Sequence, residues 1–394
     1  MSAQDTVRPV IERVQRRALV VGAIGLLATI GLGARDWTQF FHSYLLAFVY
    51  WMVFAMGCLA MLQLHHMTGG KWGLPIRRIL EAGSRTIPVL TVLSIPILLG
   101  VKKIYPWASN PDMLGNEATG HFRKMWLQPG FFVVRAVVYF AVWNLLAYLL
   151  NKWSAEQDRT ADVRLKDRMS SLSAPGTVLW SLTWSWAMLD WVMSLEPKWY
   201  SSIYGMVFMV IACLTAVSFS VIMLRMLNDY EPLRESYDPP RLNDLGNFML
   251  TFTLLWTYMS FSQFLIIWSG NLKQEIPWYK VRAFTPWGYV AAALLIFHFF
   301  VPFFILLQRR VKRRLERLSV LAFWMLFISL VDVYWLVVPA FRSEGPRVSP
   351  LDIVALIGIG GIWVAAYMGQ LKKMPLLPLH DPRFEGVLEH SHGD

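Results

Sequence analysis

Roughly ten apolar stretches, each about as long as a bilayer is thick, run through this chain, and no other feature constrains its fold so tightly. A backbone inside hydrocarbon must satisfy its own N–H and C=O groups, so a run of this length folds as a transmembrane α-helix. The spans fall near 17–34, 43–66, 86–101, 129–150, 177–195, 203–226, 245–268, 287–308, 318–339 and 352–370. The shorter alternating segments of an outer-membrane barrel are absent. Composition agrees, with 56% hydrophobic, 14% aromatic and only 16% charged residues. The expected fold class is an all-α polytopic membrane protein.

Lys and Arg number 37 against 26 acids. In a membrane protein this excess is an orientation signal before it is a nucleic-acid footprint. With the N-terminus placed in the cytoplasm, 25 bases fall on inner segments and 11 on outer loops. The inner set includes Arg77, Arg78, Arg85, Lys152, Arg159, Arg234 and Arg383, and Arg135 lies inside a span. Both termini are therefore expected to be cytoplasmic. Four arginines precede the first span without a small-residue cleavage site, so that helix is expected to be retained. Cys58 and Cys213 are isolated and read as small hydrophobes.

Two spans share a pattern. Thr177-Val178-Leu179 is followed thirteen residues on by Asp190, and Ser319-Val320-Leu321 thirteen residues on by Asp332. A carboxylate inside a span costs about 2.5–3.5 kcal/mol on insertion scales, so such a group normally faces a bundle interior, a watery cavity or a proton path. Four spans separate the pair, which suggests a four-helix unit repeated in parallel. Pro129-Gly130 and Trp287-Gly288, opening the fourth and eighth spans, add support. The expected organisation is an N-terminal tail and peripheral helix over 1–42, four-helix units over 43–195 and 203–340, and a last helix with a cytoplasmic tail over 352–394.

Helix rise places Asp190, Asp332, Arg135 and Gln263 in the outer third, His298 near mid-membrane, and His65 and His66 at the inner face. These residues are candidate steps of a proton path. Each also has a structural reading: the aspartates capped by Trp or Ser donors or paired with Arg135, His298 a satisfied bundle histidine, and His65-His66 a helix C-terminus before Thr68-Gly69-Gly70. Trp180, Trp184, Trp186 and Trp191 crowd the Asp190 span and could wall a flat quinone ring, with Asp190, Trp191 and Arg135 as quinone-binding candidates, although packing alone accounts for them. Trp37, Trp126, Trp199, Trp278 and Trp287 fit an interfacial belt. His298 and His65 differ in depth by on the order of 15 Å, so they do not form a haem ligand pair. No Cys-x-x-Cys-His, iron–sulfur cysteine cluster or nucleotide loop occurs, and no metal site or cofactor is expected in the chain itself.

The stretch from His42-Ser43-Tyr44-Leu45-Leu46 through Gly57-Cys58-Leu59-Ala60 to His65-His66-Met67-Thr68-Gly69-Gly70-Lys71-Trp72-Gly73, together with Leu189-Asp190-Trp191-Val192-Met193-Ser194-Leu195-Glu196-Pro197 and Trp199, resembles the NrfD-type membrane subunits of bacterial alternative complex III. The second of those subunits is the most similar, and the resemblance covers about residues 15–375. It implies ten helices in two four-helix units, a place in the bacterial inner membrane and no cofactor in the subunit. The implied partners are an NrfD-like sister, an iron–sulfur subunit and multihaem c-type cytochrome subunits, which pass quinol electrons to a periplasmic acceptor. Only Asp190 and the His65-His66 end of the second helix carry over from the family. No histidine stands at the depth of Asp190 on the fourth span, where Arg135 is found instead, and this departs from a complete quinol pocket.

Three functions compete. The first is a non-haem subunit of a quinol oxidoreductase of a respiratory or photosynthetic chain that aids proton movement and assembly. The second is the quinol-binding catalytic anchor itself. The third is a secondary transporter, against which stands the near absence of matched broken helices, apart from Pro96 and Pro302. On the first reading, Asp190→Asn should leave assembly intact and lower proton translocation. Asp332→Asn should act more weakly, and His298→Phe should add little to Asp190→Asn.

Overall fold

The computed structural model describes residues 3–115, 118–228, 233, 237–378 and 380–381, so Arg234 and Arg383 lie outside the described residues. The described chain is helical, and nine of its helical segments are long and apolar enough to cross a membrane. This is a multi-pass α-helical membrane protein.

Helix α1 spans Ala3–Gly33 and α2 Trp37–Thr68. The turn between them is fixed by Asp36, whose carboxylate accepts the Thr38 and Gln39 backbone N–H groups as an N-cap, and α2 ends on Gly69 with φ of 64°. The third crossing is broken into short helices α3 Arg77–Ser84, α4 Ile87–Leu93, α5 Ile95–Leu99, α6 Val101–Ile104 and α7 Pro106–Ser109. Pro88, Pro96 and Pro106 each lack an N–H and force a new helix start near themselves. Helix α8, Ala118–Trp126, leads into α9, Pro129–Thr160. Then come α10, Arg164–Trp191, and α11, Tyr204–Leu227.

The second half runs through α12, Pro239–Gly270, and α13, Ile276–Phe284. Next is a single crossing made of α14, Trp287–Leu294, a π-turn at Leu295–Phe300 and α15, Val301–Leu306. The short α16, Arg309–Lys312, precedes α17, Leu315–Val337, and α18, Pro350–Leu371. The openings at Pro129 and Trp287 stand where the sequence placed them. The fifth crossing begins thirteen residues earlier than the apolar run at 177–195, because Pro175 is accommodated inside α10. It is the one long helix from the ten expected spans that is not among the nine apolar ones, since Ser, Thr, Trp and Asp190 dilute it.

Burial shows which helices are central. The most apolar stretches of α2 and α11 are 94% and 83% buried, against 22% for α1, α12 and the α14–α15 crossing, whose outer faces suit lipid. Helix α2 packs on α3, α4 and α10, and α9 closes that group against α4 and α10. Helix α11 packs on α12 and α17, with α14 and α15 between them. The two groups meet where α2 lies along α11. At that crossing a Cβ on Gly57 would stand 1.9 Å from the Ala212 carbonyl oxygen, so the close approach requires glycine. Helices α1 and α18 pair with each other through Gly22 against Gly361 and Gly25 against Gly358. Lys372 Nζ lies 3.9 Å from Glu12 Oε1, so the start of α1 and the end of α18 share one end of the bundle, here the terminal end. Asp190 and Asp332 lie toward the opposite, distal end.

Candidate functional site

Each aspartate is held by helices of its own group. Asp190, near the end of α10, is 1% exposed and faces α9 and the end of α8. Its Oδ2 accepts Arg135 Nε at 2.8 Å and Tyr139 Oη at 2.9 Å. Its Oδ1 accepts Arg135 Nη2 at 2.8 Å and Trp126 Nε1 at 3.0 Å. Four donors thus meet the roughly four lone-pair sites of a carboxylate. Arg135 is committed as well: its Nη1 donates to the Trp126 carbonyl at 2.8 Å, and its guanidinium carbon lies 4.3 Å from the Trp126 ring centroid and 4.5 Å from that of Phe131. Arg135 and Tyr139 project from one face of α9 because four residues separate them.

Asp332 on α17 is equally buried but sparsely met. Its Oδ2 accepts Trp256 Nε1 from α12 at 2.8 Å, and His298 Nδ1 stands 3.8 Å from the same oxygen. The His298 ring lies 4.1 Å from the Trp256 ring, and neither of its nitrogens has a hydrogen-bond partner. The π-turn aims this histidine: Pro302 cannot donate to the His298 carbonyl, and the ladder widens so that Val301 N–H reaches Ile296. Asp332 also borders a cavity of ≈340 Å³ whose wall includes Trp256, Gln263, Tyr279 and Tyr204. Gln263 accepts Ser201 Oγ at 2.9 Å and donates to Tyr279 Oη at 3.3 Å.

Arg135 meets Asp190, as its depth suggested. His298 is corrected: it is not a separate mid-membrane step but sits against Asp332, because the π-turn and the crossing of α12, α14–α15 and α17 bring them level. Trp191 is also corrected as part of a quinone pocket with Asp190 and Arg135. Its ring is 2% exposed, packed against Phe48, Phe140 and Trp143, and it borders neither large distal cavity. Of the crowded tryptophans, Trp186 lines the larger cavity, ≈780 Å³, together with Trp126, Trp199 and Tyr200.

His65 and His66 stay apart from all of this. They are buried at the terminal end of α2, where His65 meets the Trp72 ring edge-on at 5.5 Å centroid separation. Phe48, which touches Trp191, lies seventeen residues earlier on the same helix, about 25 Å away along its axis.

No family model matches the chain, and no curated protein matches it significantly.

Several functional-looking groups escaped the sequence reading. Trp126, Tyr139 and Trp256 complete the two acid sites; of these the sequence marks only Trp126, as an interfacial residue. Nothing in the sequence marks Glu81. It is fully buried at the terminal end, with Arg77 Nε at 2.9 Å, Arg78 Nη1 at 2.6 Å and Ser154 Oγ at 2.6 Å. Arg77 also pairs with Asp381 at 2.5 Å, and Arg78 with Asp158. Arg77 and Arg78 are thus not loop bases but parts of a buried network. A further ion pair, Arg282 to Glu196 at 2.8 Å, ties α13 to the segment after α10, with Arg282 stacked 3.9 Å from the Trp278 ring.

Proposed function

We propose that this chain is a membrane subunit, itself without a redox centre, of a quinol oxidoreductase complex, and that it supports assembly and moves protons released by quinol oxidation. Electrons from quinol would pass to haem c and iron–sulfur centres on partner subunits, and the protons to carboxyl and imidazole groups in the bundle. The observation that carries this reading is the unequal provision of donors to two acids in matching sequence settings. Asp190 is saturated by four donors, which suits a structural ion pair. Asp332 has one short hydrogen bond, an adjacent histidine with open nitrogens, and a cavity beside it.

This reverses the order expected from sequence. Asp332→Asn keeps the size and the Trp256 contact but cannot ionise, so quinol-driven acidification by vesicles carrying the reconstituted complex should fall while acceptor reduction continues. His298→Phe combined with it should add little, because the two side chains act at one place. Unchanged proton-to-electron ratios in Asp332→Asn would overturn the reading.

The cavity beside Asp332 favours a second possibility, that the chain binds quinol itself. An apolar wall with Tyr279, Gln263 and one acid is the usual make-up of a small-molecule site. Photoaffinity labelling with an azidoquinone separates the two: label on α12 or α17 that Gln263→Leu abolishes supports the anchor, and label confined to partner subunits supports the proton-handling role.

A further inference from the structure

Between the third crossing, α9 and the end of α18 runs a groove of ≈400 Å³ at the terminal end, unrelated to the two acid sites. Along α9 it extends from Arg159 to Asn144, fifteen residues or about 22 Å, close to the length of one lipid leaflet with its headgroup. Its two halves differ. The half nearer the terminal end carries Arg85, Lys152 and Arg159, and the deeper half is walled by Pro88, Ala147 and the largely exposed Tyr148.

The charge in the outer half is not neutralised from within. Arg85 is fixed by Asn151, to which its Nε donates at 2.8 Å and its Nη2 at 3.3 Å, and among the described residues it forms no ion pair. Lys152 reaches back over the Tyr148 ring at 5.9 Å, and Arg159 donates only to the Ala155 carbonyl at 3.3 Å. Among the described residues no carboxylate lines the groove. Of the acids on these helices, Glu81 and Asp158 are engaged by Arg77 and Arg78, and Glu156, one turn beyond Lys152 on α9, stands outside the groove lining and within 4 Å of neither Lys152 nor Arg159. Three cations over a polar floor, opening into an apolar slot along a helix in the bilayer, match a phosphodiester headgroup with its acyl chain below.

We propose that this groove is a binding site for an anionic phospholipid, with the phosphate among Arg85, Lys152 and Arg159 and one acyl chain lying along Tyr148 and Pro88. The proposal does not depend on the quinol reading. The full chain, purified in detergent and incubated with dioleoylphosphatidylglycerol or dioleoylphosphatidylcholine, would be examined by native mass spectrometry for retained lipid. Phosphatidylglycerol should be retained at least tenfold more than phosphatidylcholine. Lys152→Gln/Arg159→Gln, which spares the structural Arg85, should remove most of that preference. Ala155→Trp should remove it by filling the groove while leaving all three cations. Lys102→Gln/Lys103→Gln, which removes two exposed distal cations, should retain the lipid like the unaltered chain. Equal retention of the two lipids, full retention by the charge or groove variant, loss in the distal control, or displacement of the lipid by an equal concentration of glycerol phosphate would each overturn the proposal.

Discussion

A carboxylate whose lone pairs all accept strong donors has nowhere to receive a further proton without giving up a bond, and Asp190 is in that position. Removing its charge leaves the Arg135 guanidinium buried against an amide that cannot accept as much, and breaking a buried pair on one side costs about 3–5 kcal/mol. Asp190→Asn should therefore lower the thermal unfolding midpoint of the detergent-purified chain. Asp190→Asn/Arg135→Gln should recover part of the loss, because the two groups are coupled. Equal midpoints for the single variant and the unaltered chain would refute the structural role. The pairing was legible in the sequence because both residues are polar interruptions of apolar runs and helix rise fixes their depths. Trp126 and Tyr139 were not legible as ligands: an indole or phenol at a span end reads the same whether it faces lipid or an acid. Glu81 was hidden for a related reason. Arg77, Arg78, Glu81 and Arg85 together make 77–85 too polar to read as a span, and only the folded chain shows Arg77 and Arg78 meeting Glu81, Asp381 and Asp158 while Arg85 rests on Asn151.

At the scale of elements, apolar run length located most crossings, and the misplacements have identifiable causes. Helix α10 extends beyond its apolar run because its first half, although polar, turns Leu165, Met169, Ser173 and Gly176 inward along one face. The third crossing is a chain of short helices because Pro88, Pro96 and Pro106 each remove a ladder hydrogen bond, with a further break at Gly100. The π-turn at Leu295–Phe300 follows from Pro302 in the same way, but the choice of π over a simple kink depends on tertiary packing that no local pattern encodes. Close helix approach was equally invisible, since Gly57 sits in a run that is apolar throughout. Gly57→Leu would drive a side chain into the Ala212 backbone and force α2 from α11, a cost of about 1–3 kcal/mol or more for overpacking. Its unfolding midpoint should drop, whereas Gly130→Ala, with open space around its Cβ position, should leave the midpoint unchanged. Similar midpoints for the two variants would show that the α2–α11 crossing tolerates separation.

For the whole molecule, the packing makes a claim about sidedness that is separate from the count of basic residues. Helices α1 and α18 lie side by side, and Glu12 approaches Lys372, so the two chain ends leave the bundle on the same side whichever way it sits in the bilayer. His380 adds to this, since its Nδ1 lies 2.8 Å from the Asp158 carbonyl at the end of α9, and Asp381 reaches Arg77. The segment around Asn110, beyond α7, belongs to the distal end with Asp190, as Tyr105 Oη donates to the Trp191 carbonyl at 3.0 Å and Trp107 Nε1 to Ser194 at 3.3 Å. The geometry thus fixes which segments share a side, and the excess of bases at the terminal end predicts that this side faces the cytoplasm. Single cysteines introduced at Arg8, Asn110 and His380, after replacing Cys58 and Cys213 by Ala, can be probed in intact cells with a membrane-impermeant maleimide. Only the Asn110 variant should be labelled before lysis, and all three after it. Labelling of Arg8 and His380 but not Asn110 in intact cells would reverse the orientation while leaving the fold intact. Labelling of only one of the two terminal positions would contradict the packing of α1 against α18 itself.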